Sequence, residues 1–310
     1  MDLTGVTTSI SSVFVFVLLV LPGFFAVRRK IISSIHIDGF STLLVNFLWP
    51  AMVIDAMTSS TLTQEILNTV LYSLAICLGG YFIAVIVSYI FVRIFKISPA
   101  LEGISKFSII LNNTGFIGMP LVNAVFGAEG LIIASMAEIV CDCVIFTLGT
   151  LFMNGKGKLD IKSMLNPGFL SVIVGLILLF TQLPLPNIIS SPISILGNAT
   201  TPVAMFIIGA QLGELKIKKL ICAKLPYVLT FIRLILIPAI VFLMLHFLFP
   251  NNSFANGILV IMFAMPSASC TAIFARQYNK DYGFATNCVM LSTVLSVFTL
   301  PLWLISAQII

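Results

Sequence analysis

The stretch LNNTGFIGMP, which runs from Leu111 to Pro120, interrupts a long apolar segment with two asparagines, two glycines and a proline. Gly115 allows backbone angles that other residues avoid, and Pro120 lacks the N–H group that a continuous helix would use. The backbone groups freed by such a break are tolerated at membrane depth only inside protein or beside a wet cavity. We therefore expect a broken membrane helix, whose break carries the polar side chains of Asn112, Asn113 and Thr114.

The composition places this break in a membrane protein. The chain has 310 residues, of which 59% are hydrophobic and 9% charged, and its mean hydropathy is +1.15. Apolar windows of about 20 residues, the length of a membrane-spanning helix, recur along the chain. The predicted fold class is an all-α integral membrane protein with ten transmembrane helices. The predicted spans are Ser9–Val27, Gly39–Met57, Asn68–Ile94, Gly103–Phe126, Gly130–Met153, Gly168–Thr181, Ile193–Gly213, Ile221–Phe249, Phe254–Gln277 and Tyr282–Gln308.

The positively charged residues indicate an orientation. Fifteen of the sixteen lysines and arginines, Lys106 among them, lie in or beside alternate joints between the spans, and Arg233 in span eight is the exception. Cytoplasmic joints of membrane proteins are enriched in Lys and Arg, so we expect both termini outside the cell membrane. The net charge of +5 then reflects topology and contact with anionic membrane lipid, and no nucleic-acid partner is expected.

The two halves of the chain, residues 1–155 and 156–310, share short motifs in the same order and at the same displacement. The motifs are NFLWPAM at Asn46–Met52 with NATTPVAM at Asn198–Met205, and IFTLG at Ile145–Gly149 with VFTLP at Val297–Pro301. Five spans per half would place the second half in the membrane upside down. Inverted repeats that each contain a broken helix are typical of secondary transporters, whose site lies where the two breaks meet.

Span nine contains the counterpart of the first break, in the stretch AMPSAS at Ala264–Ser269. Pro266 frees backbone groups there, and the hydroxyls of Ser267 and Ser269 lie beside it. Half-helix N-termini carry partial positive charge and free N–H groups, which favour a carboxylate. Two crossed breaks therefore predict a binding point for an anion. The alternative is that the prolines only kink the helices and that the polar side chains join neighbouring helices.

Three ionisable residues lie far from the ends of their predicted spans. Glu138 and Asp142 are four residues apart in span five, so they share one helix face and cannot both remain charged easily at low dielectric. They are candidates for proton coupling, or alternatively static hydrogen-bonding groups. Arg233 in span eight could balance these charges, attract an anion, or extend its side chain towards the cytoplasmic interface.

The sequence offers no constellation for catalysis. It contains no HExxH zinc motif, no glycine-rich phosphate loop and no GxGD aspartate. We therefore expect neither an enzyme nor a bound cofactor or metal. Secondary or facilitated transport is the function class that remains.

Three stretches resemble the auxin efflux carrier family, which includes plant auxin exporters and bacterial malate or malonate permeases. They are NNTGFIGMPLVNAVFG, AMPSASCTAIFARQYNKD and VMLSTVLSVFTLPLW. The length is similar to that of the short prokaryotic members. The resemblance implies a fold like that of bile-acid sodium symporters, with crossed, broken helices four and nine. It also implies that spans 1, 2, 6 and 7 form a scaffold that makes a homodimer, while spans 3–5 and 8–10 move as an elevator.

The resemblance also implies where a substrate binds. Either Asn112 or Asn113 would contact the carboxylate of a small organic anion such as malate, malonate or an auxin-like acid. The other residues implied at the site are Thr114, Gly115, Pro120, Pro266, Ser267 and Ser269. Plant exporters carry an asparagine where this chain has serines in span nine. Two alternatives stay open, namely a sodium-coupled symporter that uses the Thr114, Ser267 and Ser269 hydroxyls, and a membrane sensor that transports nothing.

Overall fold

A computed structural model describes residues 18–154, 165–214 and 224–307. Secondary structure in these ranges is helical, apart from one isolated antiparallel bridge. Both termini, the start of span one at Ser9, the start of span eight at Ile221 and the end of span ten at Gln308 lie outside the described residues. The cations there are Lys156, Lys158, Lys162, Lys216, Lys218 and Lys219.

The first six helices we number α1 to α6 in chain order. They are α1 (Leu18–Arg28), α2 (residues 34–58), α3 (Gln64–Ile94), α4 (Pro99–Ile110), α5 (residues 114–126) and α6 (residues 128–154). Gly127 has φ 65° and ψ −159°, which divides the helical stretch Met119–Val144 into α5 and α6. This kink lies at the joint predicted between spans four and five.

The remaining helices are α7 to α12. They are α7 (Pro167–Thr181), α8 (Asn187–Glu214), α9 (residues 224–248), α10 (Ser253–Phe263), α11 (Cys270–Gln277) and α12 (Tyr282–Ser306). Spans four and nine are each broken, into α4 with α5 and into α10 with α11, as the sequence predicts.

Three prolines of the described helices, Pro50, Pro120 and Pro238, follow wider turns. The π-helical turns Leu44–Leu48, Thr114–Gly118 and Ile232–Leu236 each end two residues before a proline. Proline cannot donate to the carbonyl four residues earlier, and a π turn shifts the neighbouring hydrogen bond by one residue. In α2, for example, the Trp49 N–H donates to the carbonyl of Leu44. The helices thus continue past their prolines.

Length and composition allow six described helices to cross a membrane. They are Ile35–Thr58, Gln64–Ile94, Thr114–Met153, Asn187–Glu214, Lys224–Leu248 and Tyr282–Ser306. Shorter apolar helices lie at Leu18–Arg28, Pro167–Thr181 and Ser253–Phe263. The all-α membrane class is therefore confirmed, while ten crossings and the inverted repeat stay predictions.

The chain divides into two compact units. Unit 1 comprises Met1–Tyr72, Gly115–Ile139 and Leu165–Leu215, and unit 2 comprises Ser73–Thr114, Val140–Met164 and Lys216–Ile310. Each unit takes segments from both halves of the sequence.

Unit 1 is held together by helices whose backbones touch at glycines. A Cβ atom on Gly23 of α1 would lie 1.9 Å from the Phe206 carbonyl oxygen of α8. Reciprocally, a Cβ on Gly209 of α8 would lie 1.9 Å from the Val20 carbonyl oxygen of α1. Small residues of this kind let membrane helices approach closely and gain van der Waals contact.

Unit 2 contains a lysine that sequence reasoning misplaced. Lys106 was counted with the joint cations, but α4 begins at Pro99, so the residue lies well inside a helix and is buried. Its Nζ lies 2.7 Å from Oε1 of Glu102 and 3.5 Å from the centroid of the Tyr89 ring. The charge is thus paired and packed on an aromatic face, which reduces the cost of removing it from water.

Candidate functional site

The two helix breaks meet inside unit 2. Residues 111–113 separate α4 from α5, and residues 264–269 separate α10 from α11. The extended segments pair as an antiparallel bridge between Asn112 and Ser267. This pairing confirms the prediction that the breaks of spans four and nine lie together.

Backbone hydrogen bonds across the bridge satisfy groups that the breaks free. The Asn113 N–H donates to the Pro266 carbonyl over 2.8 Å, and the Ala268 N–H donates to the Leu111 carbonyl over 3.0 Å. Buried backbone groups without partners are costly, most of all at membrane depth. Each break therefore supplies partners for the other.

Asn112 uses its side-chain amide to fix the surroundings of the bridge. Its Oδ1 accepts from the Tyr81 hydroxyl of α3 over 2.5 Å, and its Nδ2 donates to the Met262 carbonyl of α10 over 2.6 Å. The side chain is 2% exposed. The Cys141 thiol also lies 3.5 Å from the same Oδ1. Asn112 thus connects three helices of unit 2.

Asn113 directs its amide to a more accessible place. Its Nδ2 donates to the Ser269 hydroxyl over 2.8 Å. Ser269 is half-buried, whereas Ser267 is buried. Asn113 immediately precedes Thr114, where α5 begins, and Ser269 immediately precedes Cys270, where α11 begins. The pair therefore lies beside the first residues of both outgoing half-helices.

Ser267 and its neighbours are committed to the packing of unit 2. The Ser267 hydroxyl donates to the Ser108 carbonyl of α4 over 2.9 Å. The Ser267 N–H donates to the Ser292 hydroxyl of α12 over 3.1 Å. Ser267 therefore ties the second break to α4 and α12, and the Pro266 carbonyl before it accepts from Asn113.

Arg233 of α9 is fully buried, with 0% exposure. Its guanidinium donates to backbone carbonyls at the ends of α4 and α10, so the side chain does not extend to the membrane interface. The predicted alternative of an interfacial Arg233 is wrong, because its length is used to reach these carbonyls within unit 2. The acceptors are the carbonyls of Ile109, Ile110, Phe263 and Met265.

Three further candidates belong to unit 1. Gly115 packs so closely on Trp49 that a Cβ would lie 2.6 Å from the indole Cη2 and 3.2 Å from Oε1 of Glu138. The Pro120 carbonyl accepts from the Thr201 hydroxyl over 3.4 Å. Glu138 is 4% exposed. The structure thus places the Glu138 carboxyl beside the first turn of α5.

Asp142, the other carboxylate of α6, is assigned to unit 2 and is 6% exposed. Both carboxylates of α6 are therefore buried, which agrees with their position inside predicted span five. Within the described ranges, no group of three or more His, Cys, Asp or Glu side chains could hold a metal ion.

Sequence reasoning missed residues that support the bridge from neighbouring helices. Tyr81 orients Asn112, and Ser292 accepts from the Ser267 backbone. A signal for Tyr81 exists in the run Gly79, Gly80, Tyr81, because adjacent glycines let another chain segment approach α3. A Cβ on Gly80 would in fact lie 2.4 Å from Cζ of Phe263, at the end of α10.

Comparison with known proteins identifies the family of the chain. The sequence matches the family described as membrane transport protein over residues 7–161 and 156–304. It is 24% identical to an uncharacterized transporter of Methanocaldococcus jannaschii, with 94% of this chain and 96% of the relative covered. It is 23% identical to an uncharacterized transporter of Escherichia coli K12, with 95% and 96% covered. An uncharacterized transporter of Methanothermobacter thermautotrophicus is also 23% identical, with 96% and 97% covered. Motifs, broken helices and this match over almost the whole length agree, and the chain belongs to the membrane transport protein family of auxin efflux carriers.

Proposed function

We propose that the chain is a secondary carrier of a small organic anion, a mono- or dicarboxylate such as malate or malonate, or an auxin-like acid. The observation that carries this proposal is the hydrogen-bonded pair of Asn113 and Ser269 beside two helix starts. An amide and a hydroxyl at such a place can both donate to a carboxylate. The helix starts add backbone N–H groups and partial positive charge.

The partial charges of the helix ends beside the bridge favour an anion. Each helix end carries the equivalent of about half an elementary charge, positive at the N-terminus and negative at the C-terminus. Arg233 lies against the C-terminal ends of α4 and α10 and offsets their negative charge. The partial positive charge of the starts at Thr114 and Cys270 then remains to attract a substrate.

Of the two adjacent asparagines, we assign substrate contact to Asn113. Asn112 has its oxygen engaged by Tyr81 and its nitrogen engaged by the Met262 carbonyl. A substrate would have to displace both bonds in order to reach it. One partner of Asn113 is the half-buried Ser269 hydroxyl, which accepts from the amide and can donate its own hydrogen to a ligand.

We further propose that transport is coupled to protons through α6. An ionised carboxylate buried at membrane depth is costly and is usually functional. Glu138 and Asp142 are both buried and lie one turn apart on α6. Protonation of one of them would remove that cost and link the movement of an anion to the movement of a proton.

The family resemblance supplies the remaining parts of the proposal. The carrier would lie in the cell membrane with both termini outside and would form a homodimer through spans 1, 2, 6 and 7. Spans 3–5 and 8–10 would carry the substrate across in an elevator-like movement. A monomeric mass for the purified protein in lipid nanodiscs would contradict the dimer.

Uptake by liposomes tests the carrier. Purified protein is reconstituted, and the uptake of radiolabelled malonate, malate and indole-3-acetate is measured under a pH gradient and then under a sodium gradient. We expect saturable uptake of at least one acid that responds to the pH gradient. Asn113→Ala and Ser269→Ala should raise its KM, while Asn68→Ala, an exposed position at the start of α3, should not.

The alternatives predict different results in the same assay. Uptake driven only by the sodium gradient would favour a sodium-coupled symporter. Wild-type protein that moves none of the labelled acids under either gradient would contradict the carrier and favour a sensor. Uptake with the same pH response in Glu138→Gln and Asp142→Asn would contradict proton coupling through α6.

A further inference from the structure

We propose that Arg233 is a positioning residue that joins the ends of two broken helices and supplies the counter-charge for both. Its geometry in unit 2 carries this proposal, which needs no substrate. Only the transport measurement at the end of this subsection rests on the proposed function.

The guanidinium reaches both helix ends at once. Its Nη1 donates to the Ile109 carbonyl over 2.9 Å and to the Ile110 carbonyl over 3.2 Å, at the end of α4. Its Nε donates over 3.0 Å to the Met265 carbonyl, just after α10. Its Nη2 donates to the Phe263 carbonyl, the last residue of α10. The last carbonyls of a helix lack intrahelical partners, and one side chain here supplies partners for two such ends.

The charges of these groups match in size. Two helix C-termini together carry the equivalent of about one negative elementary charge, which is the charge that one guanidinium offsets. Among the described residues, no carboxylate oxygen lies within 4.0 Å of Arg233. Backbone carbonyls therefore serve as its counter-charge in a fully buried position. This explains how a permanent cation is accommodated in a predicted span without an acidic partner.

Arg233 and Asn112 hold the same helix end through different carbonyls. Asn112 binds the Met262 carbonyl, and Arg233 binds those of Phe263 and Met265. Three of the last carbonyls of this segment are thus fixed by side chains from α9 and from the first break. Loss of Arg233 would release carbonyls on both sides of the bridge and leave net negative charge there.

Lysine would not replace this arginine. The planar guanidinium presents five N–H donors in a fixed fork, whereas lysine has one nitrogen with three donors. A single nitrogen keeps the charge but cannot span acceptors that now bind three different nitrogens. Arg233→Lys therefore separates the charge from the bridging, and Arg233→Gln removes the charge.

Hydrogen–deuterium exchange tests the proposal on the full chain in lipid nanodiscs without substrate. We expect Arg233→Gln to accelerate exchange in both segments of the bridge, residues 105–114 and 260–271, by about tenfold or more, because exchange reports local opening. Arg233→Lys should accelerate exchange less than Arg233→Gln, but measurably in at least one segment. Leu229→Ala is the matched control, because Leu229 lies one turn earlier on α9 and is 1% exposed. It should leave both segments within about twofold of the wild-type rate while loosening α9.

Three outcomes would overturn the proposal. If both segments of the Arg233→Gln variant exchange at the wild-type rate, the guanidinium does not hold the two helix ends together. Equal acceleration in Leu229→Ala would show that α9 packing, and not Arg233, holds the bridge. Should Arg233→Gln fail to fold, Arg233→Lys decides alone, and unchanged exchange in both of its segments contradicts the bridging.

The positive charge of Arg233 can be tested separately in the transport assay. In Arg233→Gln the KM for malonate should rise by a larger factor than the KM for monomethyl malonate, since the uncompensated carbonyls repel a dianion more than a monoanion. Arg233→Lys keeps the charge, so both KM values should change by similar factors. Equal factors in Arg233→Gln would contradict the charge role. Wild-type protein that transports neither acid would count against the proposed function, whereas the exchange result would still decide the role of Arg233.

Discussion

Asn112 and Asn113 are neighbours in the chain but differ in what their amides bind. Asn112 is engaged by the Tyr81 hydroxyl and the Met262 carbonyl, and Asn113 by the hydroxyl of Ser269. In the extended backbone of the break, adjacent side chains point in opposite directions, as in a β-strand. Asn112 is therefore engaged in packing within unit 2, and Asn113 is the residue that we propose for substrate contact.

This difference gives a prediction for alanine substitutions. Asn112→Ala removes the buried bonds from the Tyr81 hydroxyl and to the Met262 carbonyl, so we expect it to destabilise the protein by about 2 kcal/mol or more. Asn113→Ala loses the part-buried bond to Ser269 and should cost about 1 kcal/mol. Thermal unfolding in detergent measures the stabilities, and the KM of the transported acid measures substrate contact. A larger rise of KM in Asn112→Ala than in Asn113→Ala would contradict the assignment.

Tyr81 gives a second prediction at a single residue. Tyr81→Phe keeps the ring, whose centroid lies 5.1 Å from that of Phe263, but removes the hydroxyl that orients Asn112. We expect a loss of about 1–2 kcal/mol in the free energy of unfolding. In a double-mutant cycle with Asn112→Ala the two losses should be less than additive, because both remove the same bond. Strictly additive losses would show that this bond contributes nothing.

At the scale of residues, the sequence predicts which positions are polar but not how they pair. Asparagines, serines and prolines in apolar runs indicate the two breaks without any structure. The role of Arg233 could not be predicted in the same way, because its acceptors are backbone carbonyls of two distant segments and leave no side-chain pattern. The buried position of Lys106 was missed because a lysine near a joint resembles other interfacial cations.

At the scale of elements, neighbouring glycines of α3 provide a matched pair. A Cβ on Gly80 would lie 2.4 Å from Cζ of Phe263, whereas a Cβ on Gly79 would have nothing within 4 Å. Gly80→Ala must displace a buried ring at the end of α10, and we expect a cost of about 1–3 kcal/mol. Gly79→Ala should stabilise α3 by about 0.5–1 kcal/mol, because alanine loses less entropy in a helix. Thermal unfolding of both variants measures the difference, and equal shifts would contradict the close contact.

The positions of the helices along the chain were predicted better than the details of how each helix begins, bends and ends. Apolar windows located the broken spans and the joint between spans four and five, where Gly127 lies, because hydrophobic length and helix-breaking residues are local properties of the chain. The π-helical turns before prolines were not predicted, since they depend on how each helix re-forms its hydrogen bonds. The pairing of the breaks was predicted because each half of the chain has a proline-interrupted helix at the corresponding position, and the bridge between Asn112 and Ser267 confirms it.

At the scale of the whole molecule, the distribution of cations predicts a topology that can be measured. Ser59 lies in the joint between α2 and α3, Ser98 lies in the joint between α3 and α4, and both are exposed. Because the positive-inside rule places the second joint in the cytoplasm, a membrane-impermeant maleimide added to intact cells should label Ser59→Cys and not Ser98→Cys. The unsubstituted chain, with its own cysteines, gives the background. Labelling of Ser98→Cys alone would invert the predicted orientation.

The bridge between the two breaks is formed by backbone atoms. Its two backbone bonds use the N–H groups of Asn113 and Ala268, and neither bond depends on which side chain these positions carry, proline excepted. If Asn113 and Ser269 contact the substrate as we propose, selectivity could be changed at these two positions while the backbone bridge persists. A library that varies only these two positions should yield many stably inserted proteins with different preferences among acids.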